Sequence, residues 1–163
     1  KDFAPISLTH LTPYVFVVSA QSPIQTLPDL VKFIRDNPGK ISYGSSGNYG
    51  AVHFPMEMMA KAANVNMLHV PYNGGGPALL ALLGSQIDVT AAGPSAAKAA
   101  TADGRVRVLT HWGGKRIPAF PDVPTLKESG YPEAVHYSWT SFWVAAKTPD
   151  AVVNVLADAM QRV

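Results

Sequence analysis

Tyr43-Gly44-Ser45-Ser46-Gly47-Asn48-Tyr49-Gly50 is the stretch on which the fold turns. A short strand, Ile41-Ser42-Tyr43, leads into it. A helix from about Val52 to Ala63 follows, with Val52, Met56, Met59 and Ala63 on one face. Strand, Gly/Ser turn and helix in succession form the repeating unit of an α/β sheet. Ligands settle at the carboxyl ends of such strands, because helix N-termini aim unpaired N–H groups there. The glycines let the backbone approach an anion closely, and Ser45 and Ser46 add hydroxyl donors. An oxyanion is the expected guest, held by the amides of Ser46 to Gly50, which are then short of partners and face a hollow. The plain alternative is an ordinary strand-to-helix turn, which also draws on Gly, Ser and Asn. Pro55 cannot donate one turn back, so regular hydrogen bonding in this helix has to begin near it.

Working outward, the same alternation continues. Tyr14-Val15-Phe16-Val17-Val18 is a buried-strand run. Thr26 caps a helix whose Leu27, Leu30, Val31 and Ile34 follow helical spacing, stopped by Asn37-Pro38-Gly39. Met67-Leu68-His69-Val70 is a strand and Pro71 to Gly76 a second Gly-rich loop, where Pro77 opens a helix carrying Leu79, Leu80, Leu82 and Leu83. Gln86 to Ala92 reads as a strand, Ser95 to Ala100 as a short helix and Val106 to Thr110 as a strand. From Gly113 to Pro132 the chain is Pro-rich, with one short helix expected at Thr125 to Ser129. Trp139 to Ala145 is strand-like, and Thr148-Pro149-Asp150 supplies an N-cap with Pro at the first helical position. The pattern predicts an α/β fold with a mostly parallel sheet flanked by helices. Two Gly-rich loops after neighbouring strands would converge on one crevice.

Composition narrows the function classes. The 163 residues suit one domain, and 47% hydrophobic against 15% charged residues supports a packed core. A net charge of +2 gives no footprint for nucleic acid. The absence of cysteine removes disulfides and thiolate chemistry. The longest apolar run, Ala78 to Leu83, is far below the roughly 20 residues that span a bilayer. The five histidines, His10, His53, His69, His111 and His136, lack metal-ligand spacing, so no metal and no cofactor are expected. His53 stands one turn from Glu57 and can pair with it. The Met56, Met58, Met59 and Met67 group reads as core filler. Ser46 has Gly44 before it but Asn48 where a nucleophile elbow needs Gly. A serine hydrolase on Ser46, with a triad assembled from His53, His69 and Asp88, is the enzymatic alternative. Walker and Rossmann glycine patterns are absent. With no initiator Met and with both ends inside extended or helical patterns, the chain reads as a piece of a longer parent.

At this point the motifs match a family. Tyr43 to Gly47, His53 and Glu57, His69-Val70-Pro71-Tyr72-Asn73-Gly74-Gly75 and Leu82 to Asp88 resemble the Bug-type solute receptors of tripartite tricarboxylate transporters. Arg116, Pro121 to Thr125, Glu128 to Gly130, Trp139 and Ala146 to Pro149 follow in the family's order. Pro55, Asn73 and Ser85 depart from its usual residues. The resemblance implies one lobe of a type II periplasmic binding protein, a non-enzymatic receptor that closes on a small carboxylate and hands it to membrane permease subunits. The ligand would be a di- or tricarboxylate, an amino acid or an aromatic acid. It also implies residues 1–13 as a crossing segment from a first domain, 14–137 as the second ligand-binding domain, and 138–163 as the return crossing strand and a truncated helix. The ligand-binding residues so expected are Ser45, Ser46, Gly47, Asn48, Tyr49, Gly50 and His53, with Tyr72, Gly74, Gly75 and Gly76 as the adjoining wall and Gly93 and Pro94 as the floor. A location in the periplasm follows from the same resemblance. The effector-binding domain of a transcription regulator, which shares the two-lobed architecture, is a further alternative.

Overall fold

The computed structural model describes residues 2–162. The chain divides into two compact units. One joins the N-terminal stretch through Thr12 with the C-terminal stretch from Ser138, and the other is Pro13–Tyr137.

In the larger unit, β2 (Val15–Ser19), β3 (Ser42–Ser45), β4 (Leu68–Pro71), β5 (Val89–Ala92) and β6 (Val106–His111) form one sheet in the order β4-β3-β5-β2-β6. The helices are α1 (Leu27–Asp36), α2 (His53–Ala63), α3 (Gly75–Leu83) and α4 (Pro94–Ala102). Successive side chains of a strand point to opposite faces, and β2 shows what that builds. Phe16 and Val18 join Leu30, Ile34, Met56 and Met59 from α1 and α2 in one core. Val15 and Val17 join Leu82 of α3 and Ala97 of α4 in the other. The result is a sheet covered by a helix pair on each face. Trp112 is fully buried, stacked on Phe16 at 5.5 Å, and its indole donates to the Pro55 carbonyl at 2.9 Å.

The α/β class is as expected, but the sheet is mixed. β4, β3 and β5 run parallel, whereas β2 pairs antiparallel with both β5 and β6. The strand expected from Gln86 begins only at Val89. Ser85 adopts a left-handed φ of 55° and the Gln86 amide turns back to Ala81 O, so these residues close α3 instead. Thr125 to Ser129 is a hydrogen-bonded turn rather than a helix, with the Ser129 amide on Thr125 O and the Glu128 carboxylate capping the Thr125 amide. Pro55 sits in the first turn of α2, where its missing donor costs no helix bond.

The smaller unit is a ribbon of β1 (Phe3–Thr12) and β7 (Ser138–Ala145), antiparallel with Phe3 opposite Ala145 and Thr12 opposite Ser138, together with α5 (Asp150–Met160). Pro149, not Thr148, occupies the position before α5, and no side chain caps it. Trp139, Phe142 and Trp143 of the ribbon are exposed.

Candidate anion cleft

The Gly/Ser loop leaves β3 with its root locked. Ser45 is fully buried; its Oγ accepts the Gly47 amide at 3.2 Å and lies 2.6 Å from His69 Nε2. Thr90 Oγ1, also buried, donates to Gly44 O at 2.9 Å. Gly44 is tightly packed: a Cβ there would meet Ile87 Cδ1 at 2.4 Å and Ala78 Cβ at 3.3 Å, so the Ile87 side chain would have to move. Ser46 Oγ accepts the Val52 amide at 3.3 Å.

The loop then uses part of its own donor set. The Gly47 amide goes to Ser45, the Gly50 amide to Gly47 O and the Tyr49 amide to His53 Nδ1 at 2.8 Å. Among the described residues, the amides of Ser46, Asn48 and Ala51 find no protein acceptor. Three of the five amides expected to be open are thus closed within the loop. Tyr49 is 91% exposed and holds a left-handed φ of 60°.

Two further turns complete the site. Tyr72 leaves β4 with its amide on Ser45 O, and Gly74, at φ 116°, turns the chain into α3. Gly93 stands just before α4, with Pro94 as its first residue. Ser46, Gly75, Gly76 and Gly93 line a cleft of about 310 Å³ whose apolar walls are Val52, Leu79, Ala91 and Ala96, with Tyr14 at its edge. Among the described residues, no charged side chain lines it. The starts of α2, α3 and α4 all reach this space, none has a side-chain cap and none carries an acid in its first turn. All three starts bring a partial positive charge to the cleft, and those of α3 and α4 also leave N–H groups unpaired there, whereas at α2 the Val52 amide is taken by Ser46 Oγ and the Phe54 amide by Gly50 O.

Of the residues expected from the sequence, Ser46, Gly75, Gly76 and Gly93 face the cleft. Ser45 lies beneath it, Tyr72 packs against the α3 side of the core, and Gly47, Asn48, Tyr49 and Gly50 form the loop's crest. His53 is engaged with the loop and with His69. The structure adds Tyr14, Val52, Leu79, Ala91, Ala92 and Ala96 to the lining. Ala91-Ala92-Gly93, small residues at a strand end, is the signal that could have found this wall.

Burial pushes the His69 imidazole below its ordinary value, the neighbouring His53 adds to this, and Glu57 opposes it. Burial and then the hydrogen bond to Glu57 push the Tyr43 phenol up. Ser46 Oγ is bound to Val52, and Ser45, which does have a histidine partner, is shielded from solvent. A larger hollow of about 470 Å³ between α1 and α2, lined by Arg35, Glu57, Lys61 and Asn64, borders the C-terminal ends of those helices, whose carbonyls disfavour anions.

The family model described as "Tripartite tricarboxylate transporter family receptor" matches residues 1–163. The chain belongs to this receptor family. A UPF0065 protein of Bordetella pertussis is 34% identical over 155 residues, covering 95% of this chain and 48% of its own length. This chain spans about half the length of the curated relatives it matches. The solved structure of the periplasmic binding protein BugD is similar at a TM-score of 0.91 and 31% identity, over 98% of this chain and 53% of that one. MatC from Rhodopseudomonas palustris, solved with bound malate, gives 0.92 at 26% identity over 98% and 54%. The Bug-type resemblance and the receptor fold read from the motifs both hold.

Proposed function

We propose that Pro13–Tyr137 is one lobe of a non-enzymatic receptor whose cleft takes a small carboxylate outside the cytoplasmic membrane, for delivery to membrane permease subunits. The observation that carries the reading is the unexplained glycine at three lining positions. A Cβ at Gly75, Gly76 or Gly93 would meet nothing within 4 Å, and none of the three has a left-handed φ. The fold does not need glycine there; a guest that approaches the backbone does.

The chemistry suits a carboxylate. An anion leaving water must recover its hydrogen bonds, and N–H donors to a charged acceptor are the stronger kind. A helix start contributes about 0.3–1 kcal/mol, up to about 2 when partly buried. Three such starts give a few kcal/mol, comparable to the roughly 4 kcal/mol of a millimolar complex. One lobe alone should therefore bind weakly. The bound malate of MatC supports a dicarboxylate as the guest.

Titration of the ¹⁵N-labelled chain with malate tests this. Saturable shifts are expected at the amides of Ser46, Gly75 and Gly76, with none from the corresponding diamide. Shifts scattered away from the cleft, or equal response to the neutral compound, would refute the carboxylate assignment.

A further inference from the structure

A column of rings stands beside the Gly/Ser loop, drawn from β3, β4, α2 and the loop itself. Tyr43 stacks on His69 with centroids 4.8 Å apart, and His69 on His53 at 4.1 Å with only 5° between planes. Tyr49 leans on His53 at 5.7 Å. Both imidazoles also bind the loop. His69 Nε2 meets Ser45 Oγ at its root, and His53 Nδ1 accepts the Tyr49 amide at its crest. Two face-to-face rings thus clamp one loop at two points.

The crest contact has a strict requirement. Nδ1 accepts an N–H only while it carries no proton, so neutral His53 holds its hydrogen on Nε2, which faces Glu57 Oε1 at 3.9 Å. A second proton would make Nδ1 a donor pointed at another donor. The titratable groups around His53 are His69 on β4, Tyr43 on β3, Tyr49 on the loop and Glu57 on its own helix. Glu57, at 3.9 Å from Nε2, and His69, stacked at 4.1 Å, are the nearest of these. Tyr49 is the residue most ready to let go. Its left-handed backbone is strained for a non-glycine residue and persists only while its surroundings hold it.

We propose that the His53–His69 pair is the positioning element of the ligand loop and works as an acid-release catch. Protonation of His53 frees the Tyr49 amide and dissolves the arrangement that presents the Ser46, Asn48 and Ala51 amides. Its consequence for binding rests on the carboxylate reading above; the loop's release does not. The sign separates it from plain electrostatics. A new positive charge near an anion site strengthens binding as pH falls, whereas the catch weakens it.

The ligand-free chain is titrated between about pH 8 and pH 5, the range in which histidines change charge, and followed by imidazole and amide ¹⁵N spectra. Neutral His53 should be the Nε2–H tautomer, and the Tyr49 amide should shift and exchange faster with the midpoint of the His53 ring. In His53→Gln, whose side-chain oxygen accepts without titrating, the Tyr49 amide should be insensitive to pH. An Nδ1–H tautomer, or a Tyr49 amide that ignores the His53 midpoint, overturns the catch. With malate present, affinity should fall below that midpoint by up to about tenfold per pH unit, the limit for one linked proton, and His53→Gln should abolish the dependence. Affinity that holds or rises on acidification overturns the positioning role. Absence of malate binding at every pH counts against the carboxylate reading alone, and the ligand-free spectra then decide the catch.

Discussion

Helices α1 and α3 begin in opposite ways. At α1, Thr26 Oγ1 takes the Asp29 amide at 3.2 Å while the Asp29 carboxylate takes the Thr26 amide at 3.0 Å, so a side-chain box and an acid close the helix start. At α3, Gly74, Gly75 and Gly76 offer no side chain at all, and the first turn holds no acid. The first arrangement satisfies orphan donors internally and stabilises the chain. The second leaves them for a guest. On the proposed reading, the absence of self-capping is what fits a helix start for binding.

The largest expected effect breaks that difference from the α3 side. Gly76→Asp places a carboxylate in open space within the cleft, at an ordinary backbone angle. The like charge should abolish the malate-induced amide shifts, while thermal unfolding stays level or rises by about 0.3–1 kcal/mol from the added acid at a helix start. Retained malate binding would mean that the open helix starts do not hold the anion. Smaller, and opposite in kind, is Thr26→Ala. Loss of the cap should cost about 1 kcal/mol in urea unfolding and leave malate binding unchanged. A binding change there would blur the distinction between closed and open starts.

The smallest effect concerns the whole larger unit. Burial is the main cause holding His69, His111 and His136 below their ordinary value of 6.5. A base with a depressed folded pKa binds more protons when unfolded, so its stabilisation is complete above 6.5 and is lost as pH falls below it. Unfolding free energy measured along a pH series should therefore decline gently on the acid side of 6.5. His111 sharpens the case: its Nδ1 accepts the Gly113 amide, while Nε2 is buried without a partner. His111→Leu should flatten part of the slope.

Local chemistry was legible in the sequence, and distant pairing was not. The α1 cap and stripe, the Gly turns and the strand-helix alternation depend on residues a few positions apart. Antiparallel placement of β2 depends on partners from Val89 to His111, which no local pattern encodes. The site shows the same boundary. Ser46, Gly75, Gly76 and Gly93 stood out as turn residues next to helices. His53 does stand 3.9 Å from Glu57, as its i,i+4 spacing suggested, but its closer contacts, the Tyr49 amide and the face of His69, sixteen positions along the chain and on another element, lay outside any local pattern. Internal use of the Gly47, Tyr49 and Gly50 amides was equally hidden, because it follows from the loop's backbone angles and not from its residue types.

The placement of Trp112 has a spectroscopic consequence. It is the only tryptophan of the larger unit, sealed against Phe16, whereas Trp139 and Trp143 sit half in water on the ribbon. Emission at the blue edge thus reports on the larger unit and emission at the red edge on the ribbon, so the unfolding of each can be read separately in one cuvette without attaching a dye.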